Sequence, residues 1–332
     1  METLLQQPFS TMNFFVFFAI GVMCLLIVLG FVTYAIYFER KVIGWMQNRI
    51  GPNQVGPFGL LQTVADVLKL LLKEDTIPKN ADRTLFKIAP VIAFVPAFVV
   101  IATLPFTENI HFADLNVGLL YYIAISGITT LGILAGGWAS NNKYALLGAM
   151  RSAAQMISYE IPLVMSVIGV ILLSGSLSLK DIVHAQEGFM WFIIPQFLGF
   201  AIFVVSAVSE LNRTPFDLPE AESELVAGYH VEYSGFRFAF YMLAEYVYVF
   251  AMATLATVLF LGGWLPPFEF LGFIPGIIWF VMKFTFCVFF LFWIRATMPR
   301  IRVDQLMGLG WKVLLPLALI NLFITAIFKE LF

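Results

Sequence analysis

The sequence predicts an all-α, polytopic membrane protein, with eight transmembrane helices and a cytoplasmic-side amphipathic surface helix, and three observations predict it. Hydrophobic residues are 61% of the 332 and charged residues 12%, against about 25% charged in soluble domains, and mean hydropathy is +0.90. Eight apolar runs lie at 14–37, 85–105, 118–138, 146–174, 189–210, 238–262, 274–296 and 311–329, each near the length of about 20 residues that crosses a hydrocarbon core. Lys and Arg fall in alternate connections: eight follow the first run, two the third, two the fifth and four the seventh, sixteen of nineteen in all. The runs must be helical, because backbone groups in lipid need partners within their own segment, and nothing suggests barrel strands. The basic bias places the odd connections on the cytoplasmic (or matrix) side and both termini on the outer side.

Residues 1–332 read as one integral membrane domain, and its elements follow in order. The first span runs directly into Glu39-Arg40-Lys41 and shows no small-residue cleavage site, so it is expected as a retained helix and not a signal peptide. The stretch GWMQNRIGPNQVGPFG (44–59) is rich in Gly, Pro, Asn and Gln and reads as a structured turn region. Over 58–73, Gln62, Asp66, Lys69 and Lys73 share one helical face, with Phe58, Leu61, Ala65, Leu68 and Leu72 on another. At about 16 residues this helix is too short and too polar to span, so it should lie along the membrane surface. The third span carries Gly132 and Gly136, a spacing that suits close helix–helix packing. Pro90, Pro96, Pro105 and Pro162 are tolerable in a bundle whose neighbours satisfy the freed backbone.

Acids at membrane depth carry the functional signal. Glu160 sits about 20 Å into the fourth span at 1.5 Å per residue, beside a polar stripe of Ser152, Gln155, Tyr159 and Pro162. Glu210 ends the fifth span. Glu245 lies in the sixth, with Tyr246 next to it and Tyr241 four residues earlier. Between them, the loop over 211–237 contains ELNRTPFDLPEAESELVAGYHVE (from 210), in which Glu210, Asp217, Glu220, Glu222, Glu224 and Glu232 are six of the chain's twenty-one acids. One such acid alone reads as a structural hydrogen bond or ion pair. Three on three spans, beside five more in a loop, point to a proton path, because acids near a bilayer are costly to retain. Tyr159 and Tyr246 are candidate hydrogen-bond partners. Lys283, inside the seventh span, is a candidate counter-charge, with snorkelling or a structural pairing as the alternative.

Several chemistries are excluded. Cys24 and Cys287 lie within spans without a CxxC partner, and His111, His184 and His230 are scattered, so no metal or iron–sulfur site is expected on this chain. No phosphate loop, nucleotide fingerprint or nucleophile elbow is present, and no basic run suggests nucleic acid. If the chain takes part in redox chemistry, any flavin or iron–sulfur cluster sits on another subunit.

Four long blocks then carry a resemblance: ERKVIGWMQNRIGPNQVGPFGLLQTVADVLKLLLKED, RSAAQMISYEIP, ELNRTPFDLPEAESELVAGYHVEYSG and WIRATMPRIRVDQLMGLGWKVLLPL. From Glu39 to about Leu317 the chain resembles the quinone-chamber membrane subunits of respiratory complex I, the proton-pumping NADH:quinone oxidoreductase. The resemblance implies a subunit that anchors the hydrophilic arm and, with other membrane and peripheral subunits, encloses a quinone tunnel opening to membrane lipid near the first span, the sixth span and the amphipathic helix. Quinone is then the substrate, and a bacterial plasma membrane the expected location, with the mitochondrial inner membrane as alternative. It places Arg40, Arg49 and Asp66 at the tunnel entrance or wall, with Arg213 and the basic loop residues Arg295, Arg300 and Arg302 also along the tunnel. It assigns Glu160, Glu210, Asp217, Glu220, Glu222, Glu224, Glu232 and Glu245 to a carboxylate relay. The alternatives are a stand-alone ion or proton-coupled transporter, and the equivalent subunit of a membrane-bound hydrogenase or ferredoxin-linked complex.

Overall fold

The computed structural model describes residues 11–108, 110–188, 190–219 and 222–331, all helix, turn and loop with no strand among them. Two compact units divide the chain, one ending at Asp66 and the other beginning at Val67.

In the first unit, α1 (Thr11–Met46) is a 36-residue helix, so its apolar run continues helical through the Glu39-Arg40-Lys41 end and two turns further than expected. It ends where the Arg49 N–H returns to the Gly44 carbonyl at 2.8 Å. A side chain on Gly44 would meet the Arg49 carbonyl at 2.9 Å, which is why glycine stands at that turn. A short 3₁₀ turn at Pro57–Gly59 precedes α2 (Gln62–Leu72), the amphipathic helix. It is shorter than its pattern because Pro57 and the positive φ of Gly59 (82°) delay its start. Val64, Leu68, Leu71 and Leu72 on it, and Leu61 just before it, are exposed, as a helix resting on hydrocarbon requires.

In the second unit, α3 (Arg83–Ile101) is capped by Asp82, whose carboxylate accepts from Thr84 and Leu85 N–H, and it contains Pro90 and Pro96. The third predicted span is two segments, α4 (Gly118–Ser126) and α5 (Ile128–Ala139), joined at Gly127. Helix α6 (Lys143–Ser174) starts on the Asn142 cap and stops at left-handed Gly175. After the short α7 (Leu179–His184) come α8 (Phe197–Glu210), α9 (Glu222–Leu225), α10 (Gly235–Phe260) and α11 (Gly276–Thr297). The chain closes with α12 (Val303–Leu309), a π-helical turn over Gly310–Leu314 and α13 (Leu315–Leu331). Helix α10 is buried along most of its length; it packs on α3 and α11, while α6 touches α5, α8 and α13.

Among the described residues, seven helices have the length and apolarity to cross a membrane, and Phe197–Glu210 is a shorter apolar helix in the eighth place. Its 14 residues rise only about 21 Å. The predicted run began at 189, but Pro195 cannot donate within a helix. Two upstream N–H groups are satisfied elsewhere: Phe192 donates to the Gln186 side chain at 3.1 Å and Ile193 to the Phe260 carbonyl at 2.9 Å.

Candidate functional site

The loop after α8 is folded back over α6 by one side chain. Gln155, buried on the polar stripe of α6, donates to the carbonyls of Ser209 (2.7 Å) and Phe216 (2.8 Å) and to Asn212 Oδ1 (3.2 Å). This latch turns Arg213 inward. Its side chain is 3% exposed, its Nε lies 2.8 Å from Glu245 Oε1 on α10, and its guanidinium sits 4.3 Å from the Tyr246 ring centroid. A buried charge pair beside an aromatic face is an arrangement arginine suits, since its flat cation stacks and pairs at once.

Beside this pair is a cavity of about 40 Å³ lined by Glu210, Glu245, Asn212, Tyr241, Tyr248 and Thr129, among others. That is room for about three waters, with polar partners enough to hold them. The Thr129 and Tyr248 hydroxyls hydrogen-bond to each other across it. Glu160 approaches from α6: its Oε1 lies 3.2 Å from where a Cβ on Gly127 would stand, so the missing side chain at Gly127 leaves space for the carboxylate. Glu160 and Glu210 lie within electrostatic range of each other.

The remaining loop acids disperse. Asp217 pairs with Arg300 at 2.9 Å, and the Ile301 N–H reaches the Pro215 carbonyl at 3.0 Å, which ties the acidic loop to the basic loop after α11. Glu224 pairs with Arg151 at 2.7 Å and Glu232 accepts from Asn142 Nδ2 at 2.6 Å. Glu220 lies outside the described residues, as does the side chain of Glu222. Arg295 is in the last turn of α11, and Arg302 reaches Asp304 at 3.3 Å on an exposed surface. In the first unit Arg40 pairs with Asp66 at 2.6 Å and Arg49 donates to Gln47 at 2.7 Å. Beyond the spans, burial holds the His230 imidazole down to about 4. The Tyr233 phenol is pushed up to about 12, chiefly by burial.

Two expectations are corrected. Lys283 is not a counter-charge to the acids: its ammonium donates to the carbonyls of Leu261 (2.6 Å), Gly263 (3.0 Å) and Leu265 (2.7 Å), 4.0 Å from the Trp191 ring centroid. It caps the far end of α10, about 24 Å along that helix from Glu245. Tyr159 does not serve Glu160: its hydroxyl donates to the Leu306 carbonyl at 2.9 Å, because successive residues on a helix point about 100° apart. Missed altogether were Thr129 and Tyr248. The signal for Tyr248 was present, since Tyr241, Glu245 and Tyr248 recur at helical spacing on one face of α10.

The residues that build this geometry fall within a stretch with known relatives. Residues 19–326 match the model of the NADH dehydrogenase family. The chain belongs to the NADH dehydrogenase family. Among its relatives, the H subunit of the NADH-quinone oxidoreductase of Anoxybacillus flavithermus is 71% identical over 333 residues, covering 100% of this chain and 99% of that one. Those of Bacillus thuringiensis and Bacillus anthracis are 70% identical over 332 residues, with the same coverage. Family membership and the apolar helices together make the chain an integral membrane protein. The family match spans every acid and arginine of the site.

Proposed function

We infer that this chain is a core membrane subunit of an NADH:quinone oxidoreductase, in which it forms part of the quinone tunnel and a carboxylate relay coupling quinone reduction to proton translocation. The observation that carries the reading is the convergence of Glu210 and Glu245 on one small cavity, with Arg213 paired to Glu245 and Glu160 beside it. Quinone reduction takes up two electrons and two protons. The electrons come from partner subunits, and this chain's acids hold and pass protons. Arg213 belongs to the acidic loop and Glu245 to α10, so their pair ties the charge state of a span to the position of that loop. A change of charge in a quinone chamber bordered by the loop would thereby reach the cavity. The chain is read as sitting in a bacterial plasma membrane with its acidic loop on the cytoplasmic side, under the peripheral arm. The relatives are named as subunits, which favours this over a stand-alone transporter.

The test is isosteric. Glu→Gln keeps size and much of the hydrogen bonding but removes the exchangeable proton. Glu160→Gln and Glu210→Gln should leave complex content near normal and lower proton translocation by at least about a hundredfold, the low end for a positioned proton-transfer group. Glu160→Asp should retain part of the activity through a bridging water. Wild-type translocation in both Gln variants would overturn the relay.

A further inference from the structure

Gly132 and Gly136 share a spacing but not a task. A Cβ on Gly132 would lie 2.5 Å from the backbone nitrogen of Ala93, so that glycine admits α3 itself. A Cβ on Gly136 would lie 2.2 Å from the Tyr241 hydroxyl oxygen and 3.3 Å from that of Tyr233. The slot at Gly136 therefore seats two phenols. Both hydroxyl oxygens face that slot, and the rings meet edge to face with centroids 5.1 Å apart. Tyr241 lines the glutamate cavity, and Tyr233 stands behind it. The Tyr233 ring stacks on Phe86 at 4.1 Å, and the Arg237 guanidinium lies 5.8 Å from the Phe86 centroid. Arg237 in turn pairs with Asp75 at 3.0 Å, where both side chains are partly exposed. Packed side chains thus lead from a partly exposed rim to the cavity; the Phe86 ring carries no proton, so a water has to bridge the rim to the Tyr233 hydroxyl.

We propose that Tyr233 and Tyr241 form a two-hydroxyl relay that passes protons between the rim at Asp75–Arg237 and the Glu210–Glu245 cavity, with Gly136 keeping the slot clear. The relay rests on the reading of that cavity as a proton site. In each transfer a phenol oxygen accepts a proton from the water or hydroxyl behind it and releases its own proton to the group ahead. Neither tyrosine changes charge and no electron moves. The hydroxyls have carbonyls to rest on between transfers: Tyr233 donates to Phe86 O at 3.2 Å, and Tyr241 lies 3.5 Å from Gly132 O. The Tyr233 phenol, held up at about 12, stays protonated at neutral pH, as hand-over through a neutral hydroxyl requires.

Tyr241→Phe, Tyr233→Phe, Gly136→Ala and the double variant Gly136→Ala/Tyr241→Phe would be compared in the assembled complex, in membranes with verified complex content. The readout is the rate of proton translocation per complex. The relay predicts a loss of at least about tenfold for either phenylalanine variant. It also predicts that the double variant, relieved of the clash with the hydroxyl, assembles yet translocates no faster than Tyr241→Phe. If the hydroxyls only fill the slot, Tyr241→Phe and the double variant both translocate at the wild-type rate, and the proposal is overturned. Should Tyr241→Phe not assemble, Tyr233→Phe decides by the same measure: a tenfold loss supports the relay and a wild-type rate ends it. Glu210→Gln in the same membranes separates the two readings. If it stops translocation while the tyrosine variants do not, only the relay falls; if it translocates normally, the cavity reading falls and takes the relay with it.

Discussion

Breaking the Arg213–Glu245 pair should damage assembly and proton translocation in separable ways. The two groups are 2.8 Å apart, with side chains 3% and 16% exposed. Removing one partner of a buried pair costs about 3–5 kcal/mol, because the other charge is left uncompensated. The Tyr246 ring remains under the guanidinium, and a glutamine at 245 still accepts a hydrogen bond. Glu245→Gln is therefore expected near the low end, about 3 kcal/mol, or roughly a hundredfold in the folded-to-unfolded ratio. Arg213→Met leaves a carboxylate that can neutralise itself by taking up a proton, so its cost should be similar or smaller. With both charges gone, Arg213→Met/Glu245→Gln should recover about 2 kcal/mol of the summed single losses, within the range for residues in contact. Complex content on native gels and thermal inactivation of the purified complex report the stability side, and dye-monitored acidification of vesicles reports translocation. The double variant should regain content and thermal stability but not translocation. Unchanged content and thermal stability in both single variants would refute the desolvated pair. Wild-type translocation in the double variant would refute Glu245 as a proton carrier.

Arg40→Ala removes the ion pair with Asp66; it should raise KM for long-tail quinones more than for short water-soluble analogues, and equal effects on both would count against an entrance role. A cysteine in place of Glu224 should label from the cytoplasmic face only, and more after removal of the hydrophilic arm; ready labelling from the outer face of intact cells would reverse the topology. His230 gives a pH signature. Its folded value near 4 lies below the ordinary 6.5, so the unfolded chain takes up a proton that the folded one refuses. Its contribution to stability is full above pH ~6.5 and falls by up to ~1.4 kcal/mol per pH unit down to ~4. His230→Gln should flatten the fall in Tm between pH 7 and pH 5, and an unchanged slope would assign that fall elsewhere.

Helix and membrane were legible in the chain because they depend on local quantities. An apolar run of about 20 residues satisfies its backbone in lipid only as a helix, and the face of Gln62–Leu72 is written in its period. The acids were legible too, since charge near a bilayer is retained for a reason. What misled was also local: the run from 189 looked continuous until Pro195 and Gln186 redirected its first turn. Lys283 and Tyr159 looked like partners of the acids by depth and by adjacency. One instead caps carbonyls at the far end of α10, and the other points toward α12.

By itself, the sequence determined an integral membrane bundle and named the side chains able to carry charge through it. Only the tertiary structure decided which of them meet. It joined Arg213 to Glu245, set Glu210 beside Glu160, and sent Asp217, Glu224 and Glu232 to separate partners. It also gave Gly136 a pair of hydroxyls where its spacing suggested a helix. Composition and period fix what each segment is, but a contact between segments depends on the rotation and axial register of both. Those are set by close packing at positions such as Gly127, Gly132 and Gly136, where the atom that fills the space comes from a residue distant in the chain.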